Sequence, residues 1–173
     1  NQWYDERDLP PREAGNEFHP AWNELAVCRR LRRWQTAYWV FRHSAALRPQ
    51  TRVRLLKSIL DTARWLDDHN RANGFRGGNG QIGGCFDLLC GARMAPEFRE
   101  ADGWRQTALM WLLEHARRDF FPDGGFSERI SGYGYGCVTA LRWLRDMASD
   151  AGMLPRQARW LSARLRALYR WYL

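Results

Sequence analysis

The chain has 173 residues, of which 45% are hydrophobic and 14% aromatic, so it can bury one sizeable core and is not a disordered chain. Its 27 Lys and Arg residues outnumber its 19 Asp and Glu residues, and the net charge of +8 favours an anionic partner such as acidic polysaccharide, nucleic acid or acidic lipid. No apolar run approaches the ~20 residues that span a membrane, and the cysteines have no CxxC spacing, which argues against a zinc site. An alternative source of the charge is a compositional bias toward arginine on solvated helix faces.

Apolar residues recur at helical spacing along most of the chain. Residues 1–19 are polar and contain Pro10 and Pro11, so we expect an irregular lead-in there. Six helices are predicted after it, from about Ala21 to Ser44, Pro49 to Asn70, Gln81 to Arg93, Ala101 to Phe120, Tyr135 to Ala148 and Pro155 to Tyr172. No strand pattern is convincing, so residues 20–173 are predicted to form one all-α domain. The four cysteines fall in apolar helical stretches and are expected to be buried free thiols.

The joints between these helices alternate in composition. Pro49, Pro96 and Pro155 lie at or shortly before the even-numbered helices, where proline suits the first turn. Glycine-rich loops precede helices three and five. We therefore predict three antiparallel hairpins forming part of an (α/α) toroid. Alternate loops of such an array share one end, so the loops at 71–80 and 121–134 should be neighbours.

The first glycine loop and the residues after it read RGGNGQIGG over 76–84, five glycines in nine residues. Glycine costs about 1 kcal/mol in a helix interior relative to alanine, so the helix is expected to begin only at Gln81. Asn79 and Gln81 are candidate ligand-binding residues, with a helix N-cap as the alternative role for Asn79. Arg76 is a candidate contact for an anionic group.

The second loop reads FFPDGGFSERISGYGYG over 120–136. After its two phenylalanines comes a turn signature, Pro-Asp-Gly-Gly. Tyr133 and Tyr135 stand between glycines, where a phenol can approach a ligand closely. A phenol can act as general acid or base when a nearby cation lowers its pKa. Glu128 lies in the same loop, either near the ligand or in a salt bridge with Arg76 or Arg129.

These side chains suit β-elimination on a uronic acid. An amide can donate to the sugar carboxylate without competing for protons, and neutralising that carboxylate acidifies the C5 proton. A tyrosine can then take this proton or give one to the leaving oxygen. Asn79 and Tyr133 are therefore the candidate catalytic pair, with Gln81, Arg76, Glu128 and Tyr135 as candidate substrate-binding residues.

The motifs resemble those in the helical toroid of the heparinase II/III-type and alginate-lyase-type polysaccharide lyases. The segments that carry the resemblance are Trp22-Asn23-Glu24-Leu25 with Arg30 and Trp34, Gly78-Asn79-Gly80-Gln81, Pro96-Glu97-Phe98 with Trp104, Pro122-Asp123-Gly124-Gly125, Glu128-Arg129 and Gly132-Tyr133. By the resemblance, Asn79 contacts the substrate carboxylate and Tyr133 is the acid/base. Members often have His or Trp where this chain has Gly80, and His where it has Gly134.

The resemblance also implies what else such an enzyme contains. Members are several times longer, and their other toroid helices and β-sandwich supply a further catalytic His and often a metal. The histidines here, at 19, 43, 69 and 115, are predicted to lie away from the two loops. We therefore expect a part of an active site, inactive when isolated, with no cofactor in this segment. The expected partners are an acidic polysaccharide and the parent enzyme's other parts, with no membrane or nucleic acid, in the periplasm or secreted.

Apolar residues in the last two predicted helices are expected to face those other parts. These are Trp143, Trp160, Leu165, Leu168 and Trp171. Exposed apolar patches usually mark interfaces, so the isolated chain would tend to self-associate.

Two other functions remain open. An Arg-rich helical-repeat binding module would bind a polyanion without catalysis, with an affinity that falls steeply with salt. A toroid glycoside hydrolase would need two carboxylates about 5–9.5 Å apart, for which Asp123 and Glu128 are the obvious pair.

Overall fold

The computed structural model describes residues 22–148 and 152–172, so the predicted lead-in over 1–19 lies outside the described residues. The described part contains six α-helices and confirms the all-α class. They are α1 (Glu24–Phe41), α2 (Pro49–Asn73), α3 (Gly78–Met94), α4 (Ala101–Arg118), α5 (Ser131–Asp146) and α6 (Pro155–Tyr172).

The helices pack as three hairpins in two layers. Consecutive helices pair as α1 with α2, α3 with α4, and α5 with α6. Alternate helices also pack side by side, since α3 contacts both α1 and α5, and α4 contacts both α2 and α6. The odd-numbered helices thus form one layer and the even-numbered helices the other. The joints within hairpins lie at one end, and the glycine-rich joints between hairpins lie at the opposite end.

Helix α3 is the central element, and two of its glycines allow close approach to α1. A Cβ at Gly84 would lie 2.8 Å from Cys28 Sγ, and a Cβ at Gly91 would lie 2.8 Å from Gln35 Nε2. Glycine in the middle of a helix is unfavourable by itself. Here the loss is offset by packing that a larger side chain would block.

The buried stripe of α1 differs from the simplest helical pattern. The helical spacing of Leu25, Leu31 and Phe41 predicts one apolar stripe, but Leu25 and Phe41 are exposed. Val27, Cys28 and Leu31 are buried against the other helices. The contacts with α2 and α3 decide which face of α1 is covered, and the sequence of α1 alone does not contain that information.

The apolar residues near the end of the chain divide into two groups. Leu165 and Leu168 are buried, and Trp160 is partly buried against the core cluster, so the expectation that these three face missing elements is wrong. The two leucines pack within the core cluster, because α6 lies against α4 and α5. Trp143 and Trp171 are about half exposed, as expected.

The expectation of free thiols is confirmed, with burial for three of the four. Cys28, Cys85 and Cys137 are buried, and Cys90 is partly buried. Burial raises the pKa of each thiol, for example that of Cys137 to about 12. These thiols are therefore protonated and unreactive at neutral pH.

A buried ion pair joins α1 to α3. Asp87 is 1% exposed, and its Oδ1 accepts a hydrogen bond from Arg32 Nε at 2.8 Å. Gln35 Nε2 donates to the Asp87 carbonyl oxygen at 2.9 Å, while Asp87 Oδ2 has no hydrogen-bond partner among the described residues. Burial raises the pKa of Asp87 to about 6, although the Arg32 guanidinium opposes that shift.

This raised pKa predicts a pH-dependent stability difference between the wild type and an Asp87→Asn variant. The folded-state pKa of about 6 exceeds the usual 3.8, so the charged carboxylate destabilises the fold above pH 6, and protonation relieves that cost at lower pH. As pH falls from 8 to 4, the wild type should gain on the order of 1–3 kcal/mol relative to the variant. Urea denaturation of both proteins across this range measures the difference.

Other titrating groups, such as His69, are common to both proteins and cancel in the difference. A stability difference that does not change with pH would show that Asp87 titrates normally.

Candidate active site

The two glycine-rich joints meet at one end of the molecule, as their alternation predicts. The backbone N–H of Gly78 donates to Asp119 Oδ2 at 2.8 Å, so the start of α3 contacts the residue that follows α4. We call residues 74–77 and 119–130 the paired loops. They contain or adjoin every candidate site residue.

Helix α3 begins without a capping side chain of its own, because its N-cap residue is Gly77. The first N–H groups of a helix have no partners inside it. Two carboxylates from the second loop bind them here: Asp119 accepts from Gly78, and Glu128 Oε1 accepts from Asn79 N at 2.6 Å. Acidic groups also interact favourably with the helix dipole at this end. This explains why α3 begins three residues earlier than predicted.

Asn79 is bound to Glu128 through its side chain as well. Its Nδ2 donates to Glu128 Oε2 at 2.7 Å, beside the main-chain bond to Oε1. One carboxylate therefore holds both nitrogens of one residue. The alternative role of Asn79 as the helix N-cap is wrong, because Gly77 occupies that position.

Gly78 leaves the space that this arrangement needs. Its φ of +80° lies in the left-handed region that side chains rarely adopt, and a Cβ there would collide with Glu128 Oε1. The glycine beside Asn79 thus lets a carboxylate from another loop approach the helix start.

Gln81 lies underneath the first loop and is 0% exposed. Its Nε2 donates to the Gly74 carbonyl at 2.8 Å and to Asn70 Oδ1 at 3.1 Å, and its Oε1 accepts from the Arg76 N–H at 2.9 Å. The amide is therefore engaged with the protein, where it fixes the shape of the loop.

Arg76 crosses from the first loop to α1. Its guanidinium pairs with Glu24 Oε1 and donates to Asn70 Oδ1 at 3.1 Å. Its second terminal nitrogen, Nη1, is buried and has no hydrogen-bond partner among the described residues. Because that nitrogen has almost no accessible surface, a ligand outside the protein does not reach it in this conformation.

Tyr133 and Tyr135 stand in the first turns of α5, which begins at Ser131 and thus four residues earlier than predicted. The turn closes through the Gly134 N–H, which donates to the Ile130 carbonyl at 3.0 Å. Tyr133 is 50% exposed and Tyr135 is 60% exposed. Both phenols are therefore accessible beside the loop that carries Glu128.

His115 contacts the second of the paired loops and His69 lies close to the first, so the expectation that these two histidines are away from the loops is wrong. His115, near the end of α4, is fully buried, and its Nδ1 lies 2.6 Å from Asp119 Oδ2. The imidazole thus supports the carboxylate that caps α3. The i,i+4 spacing of His115 and Asp119 just before a loop is a signal that the sequence contains. His19 lies outside the described residues.

His69 lies near the end of α2, close to the first loop. It stacks on Trp65 with ring centroids 4.7 Å apart. Burial and the nearby positive charge of Arg76 lower the pKa of His69 to about 4, so this imidazole is neutral at physiological pH. His43 lies beyond the end of α1 and is exposed.

The second loop is fixed by its own turns and by α6. Asp123 Oδ1 accepts from the Gly125 N–H at 2.9 Å, and Phe121 N donates to the Gly125 carbonyl at 2.8 Å. Arg164 on α6 donates to the carbonyl of Phe121, inside this loop, at 2.9 Å. The loop is therefore an ordered support for Glu128.

The sequence profile described as Heparinase II/III N-terminus matches residues 1–171. The chain belongs to this family. No curated protein sequence matches it. A crystal structure of heparinase III superposes with a TM-score of 0.81 at 20% identity, covering 98% of this chain and 25% of that one. A heparinase III with methylated lysines gives a TM-score of 0.67 at 20% identity, over 99% of this chain and 26% of its own.

These matches confirm the predicted part of a helical toroid. At 20% identity they show the shared fold alone, and this heparinase II/III N-terminal domain spans about a quarter of each matched chain. Within residues 22–148 and 152–172, no group of three or more His, Cys, Asp or Glu residues is placed to hold a metal ion. No helix of that part is long and apolar enough to cross a membrane.

The surroundings of Gly124 in the second loop and of Gly136 in α5 predict different effects on stability when each is replaced by alanine. Gly124 has a φ of +105°, and a Cβ there would lie 2.8 Å from Trp171 Cβ and 3.0 Å from the Ala167 carbonyl. Gly124→Ala should therefore lower the free energy of unfolding by more than about 1 kcal/mol. Gly136, inside α5, faces open space, so Gly136→Ala should be neutral or stabilising by about 0.5–1 kcal/mol.

Urea denaturation of the two variants measures both changes. Equal effects of the two substitutions would contradict the described conformation of this loop.

Proposed function

We propose that this chain forms part of a polysaccharide lyase that cleaves an acidic, uronate-containing polysaccharide by β-elimination. The observation that carries the proposal is the position of Asn79, which the paired loops hold next to the segment that leads to Tyr133. Family membership and the fold shared with heparinase III support the same reaction class. The excess of arginine suits a polyanionic substrate.

Asn79 and Tyr133 have different tasks in this reaction. Asn79 donates to the uronate carboxylate, which stabilises the charge that builds up as the C5 proton leaves. The C5–H electrons form the C4–C5 double bond, and the C4–O bond breaks with its electron pair remaining on the leaving oxygen. Tyr133 takes the C5 proton or protonates that oxygen, and we assign the other of these two proton transfers to the catalytic His of the parent enzyme's other parts.

The remaining predicted site residues differ in how directly they can contact the substrate. Arg76 is already bound by Glu24 and Asn70, and its Nη1 is buried, so its role in the site is to bring positive charge near an anionic sugar. Tyr135 is exposed at the same end and borders the substrate. Gln81 uses its amide within the protein, so we assign it the support of the first loop.

The glycoside hydrolase alternative is weaker because its two carboxylates are already engaged. Asp123 accepts from Gly125 N, and Glu128 binds Asn79 with both oxygens. A binding module without catalysis explains the arginine content. It gives no reason for Glu128 to bind both nitrogens of Asn79 beside the segment that leads to Tyr133.

The proposed reaction needs parts beyond this chain. His115 is fully buried, so we assign the catalytic His of the resemblance, and any metal, to other toroid helices or a β-sandwich of the parent enzyme. We expect the 173-residue chain alone to be inactive. We also propose that the parent acts in the periplasm or after secretion.

The test is ultraviolet detection of unsaturated uronate in the full-length protein that carries this chain, with heparin first and alginate second. Tyr133→Phe should lower turnover by roughly 10²–10⁴-fold with little change in binding, because the phenol acts only in proton transfer. Asn79→Ala should lower turnover by about 10²–10³-fold and also weaken binding, because it removes a donor to the carboxylate. Tyr135→Phe is the matched control and should be mild.

Near-normal activity in Tyr133→Phe with a large loss of activity in Tyr135→Phe would show that Tyr135 is the acid/base. Activity in both variants would exclude the phenols from proton transfer. Binding that falls steeply with salt, without any ultraviolet product, would favour the binding module.

A further inference from the structure

Glu128 uses both carboxylate oxygens on a single residue. Oε1 accepts from Asn79 N at 2.6 Å, and Oε2 accepts from Asn79 Nδ2 at 2.7 Å. We propose that Glu128 is a positioning residue, which fixes the amide of Asn79 toward the substrate and does not contact the substrate itself. This role rests on the proposed function for the identity of the ligand that Asn79 meets.

The carboxylate determines which way the Asn79 amide faces. An ionised carboxylate only accepts hydrogen bonds, so the amide nitrogen and not the amide oxygen must point to Glu128. That nitrogen carries two hydrogens, and Glu128 takes one of them. The second hydrogen is left to donate to a uronate carboxylate. Without Glu128, asparagine near a helix start can rotate and bond local backbone groups instead.

The backbone on both sides of Glu128 is held in place. Ser127 N donates to the Asp119 carbonyl at 2.8 Å, and Arg129 N donates to the Phe126 carbonyl at 2.9 Å. Arg129 has a φ of +56°, a conformation that non-glycine residues adopt at some energetic cost and that is enriched at functional sites. This left-handed residue directs the chain from Glu128 into α5.

The first loop has a complementary shape. Gly78 has no Cβ to collide with Glu128 Oε1, and its N–H is bound by Asp119, which His115 supports. Asp119 therefore fixes where α3 begins, and Glu128 fixes the side chain one residue later.

A direct contact between Glu128 and the substrate is disfavoured on two grounds. Both oxygens already accept strong hydrogen bonds, and a carboxylate repels the uronate charge that Asn79 has to stabilise. Glu128 therefore acts through Asn79.

A kinetic double-mutant cycle in the full-length protein separates the two roles. Glu128→Gln keeps an oxygen for Asn79 N–H but places an NH2 group against Nδ2, so the variant should fold with a misdirected amide. We expect turnover to fall about 10–100-fold with KM changed less than about threefold, since charge stabilisation in the transition state is lost. In an Asn79→Ala background, Glu128→Gln should cost less than about twofold more.

Three results would each overturn the positioning role. They are turnover losses that multiply in the double variant, a rise in KM as large as the loss of turnover, and unchanged turnover in Glu128→Gln.

Hydrogen exchange provides a second measurement that does not depend on activity. In Glu128→Ala, the amides of a peptide covering residues 75–82 should exchange about tenfold faster than in the wild type, as expected for loss of a cap. Gly136→Ala, which meets no neighbour, is the control and should leave that peptide unchanged.

If the wild type gives no unsaturated product, the proposed function fails and the exchange measurement still tests the contact. Faster exchange in Glu128→Ala supports it, and unchanged exchange overturns it.

Discussion

The start of helix α3 depends on carboxylates that another part of the chain supplies. Gly77 cannot cap the helix, and the N–H groups of Gly78 and Asn79 bind Asp119 and Glu128 from the second loop. Those bonds connect consecutive hairpins at one end of the array. They also place Asn79 beside the segment that carries Tyr133, so the candidate site exists because one helix lacks a cap of its own.

The glycines around Asn79 serve several physical purposes. Gly78 makes room for Glu128 at a left-handed backbone position, whereas Gly84 and Gly91 let α3 approach α1 closely. The N-terminus of α1 lies in the same region, because Glu24 in its first turn pairs with Arg76 of the first loop. Starts of helices carry partial positive charge, but Asp119, Glu128 and Glu24 already bind the start of α3 and Arg76. The donor that we propose for an anionic substrate is therefore the Asn79 amide.

Local patterns were sufficient to predict the six helices, their hairpin order and the meeting of the two loops. Periodicity and the proline and glycine joints are properties of the sequence itself. The early start of α3 was not predictable in this way, because its caps are 41 and 49 residues away in the chain. The buried position of Gln81 and the support that His115 gives Asp119 depend on the same tertiary contact. Asn79 was identified from its motif, but its bond to Glu128 was not.

The candidate site depends on the bond between Asn79 and Glu128, and the coupling energy of this pair tests that bond most directly. The free energy of unfolding is measured by urea denaturation for the wild type, Asn79→Ala, Glu128→Ala and the double variant. Because the two side chains form a charge-assisted hydrogen bond, we predict that the single losses are not additive, with a coupling energy of about 1–3 kcal/mol. Losses that add within about 0.5 kcal/mol would contradict the contact between Asn79 and Glu128.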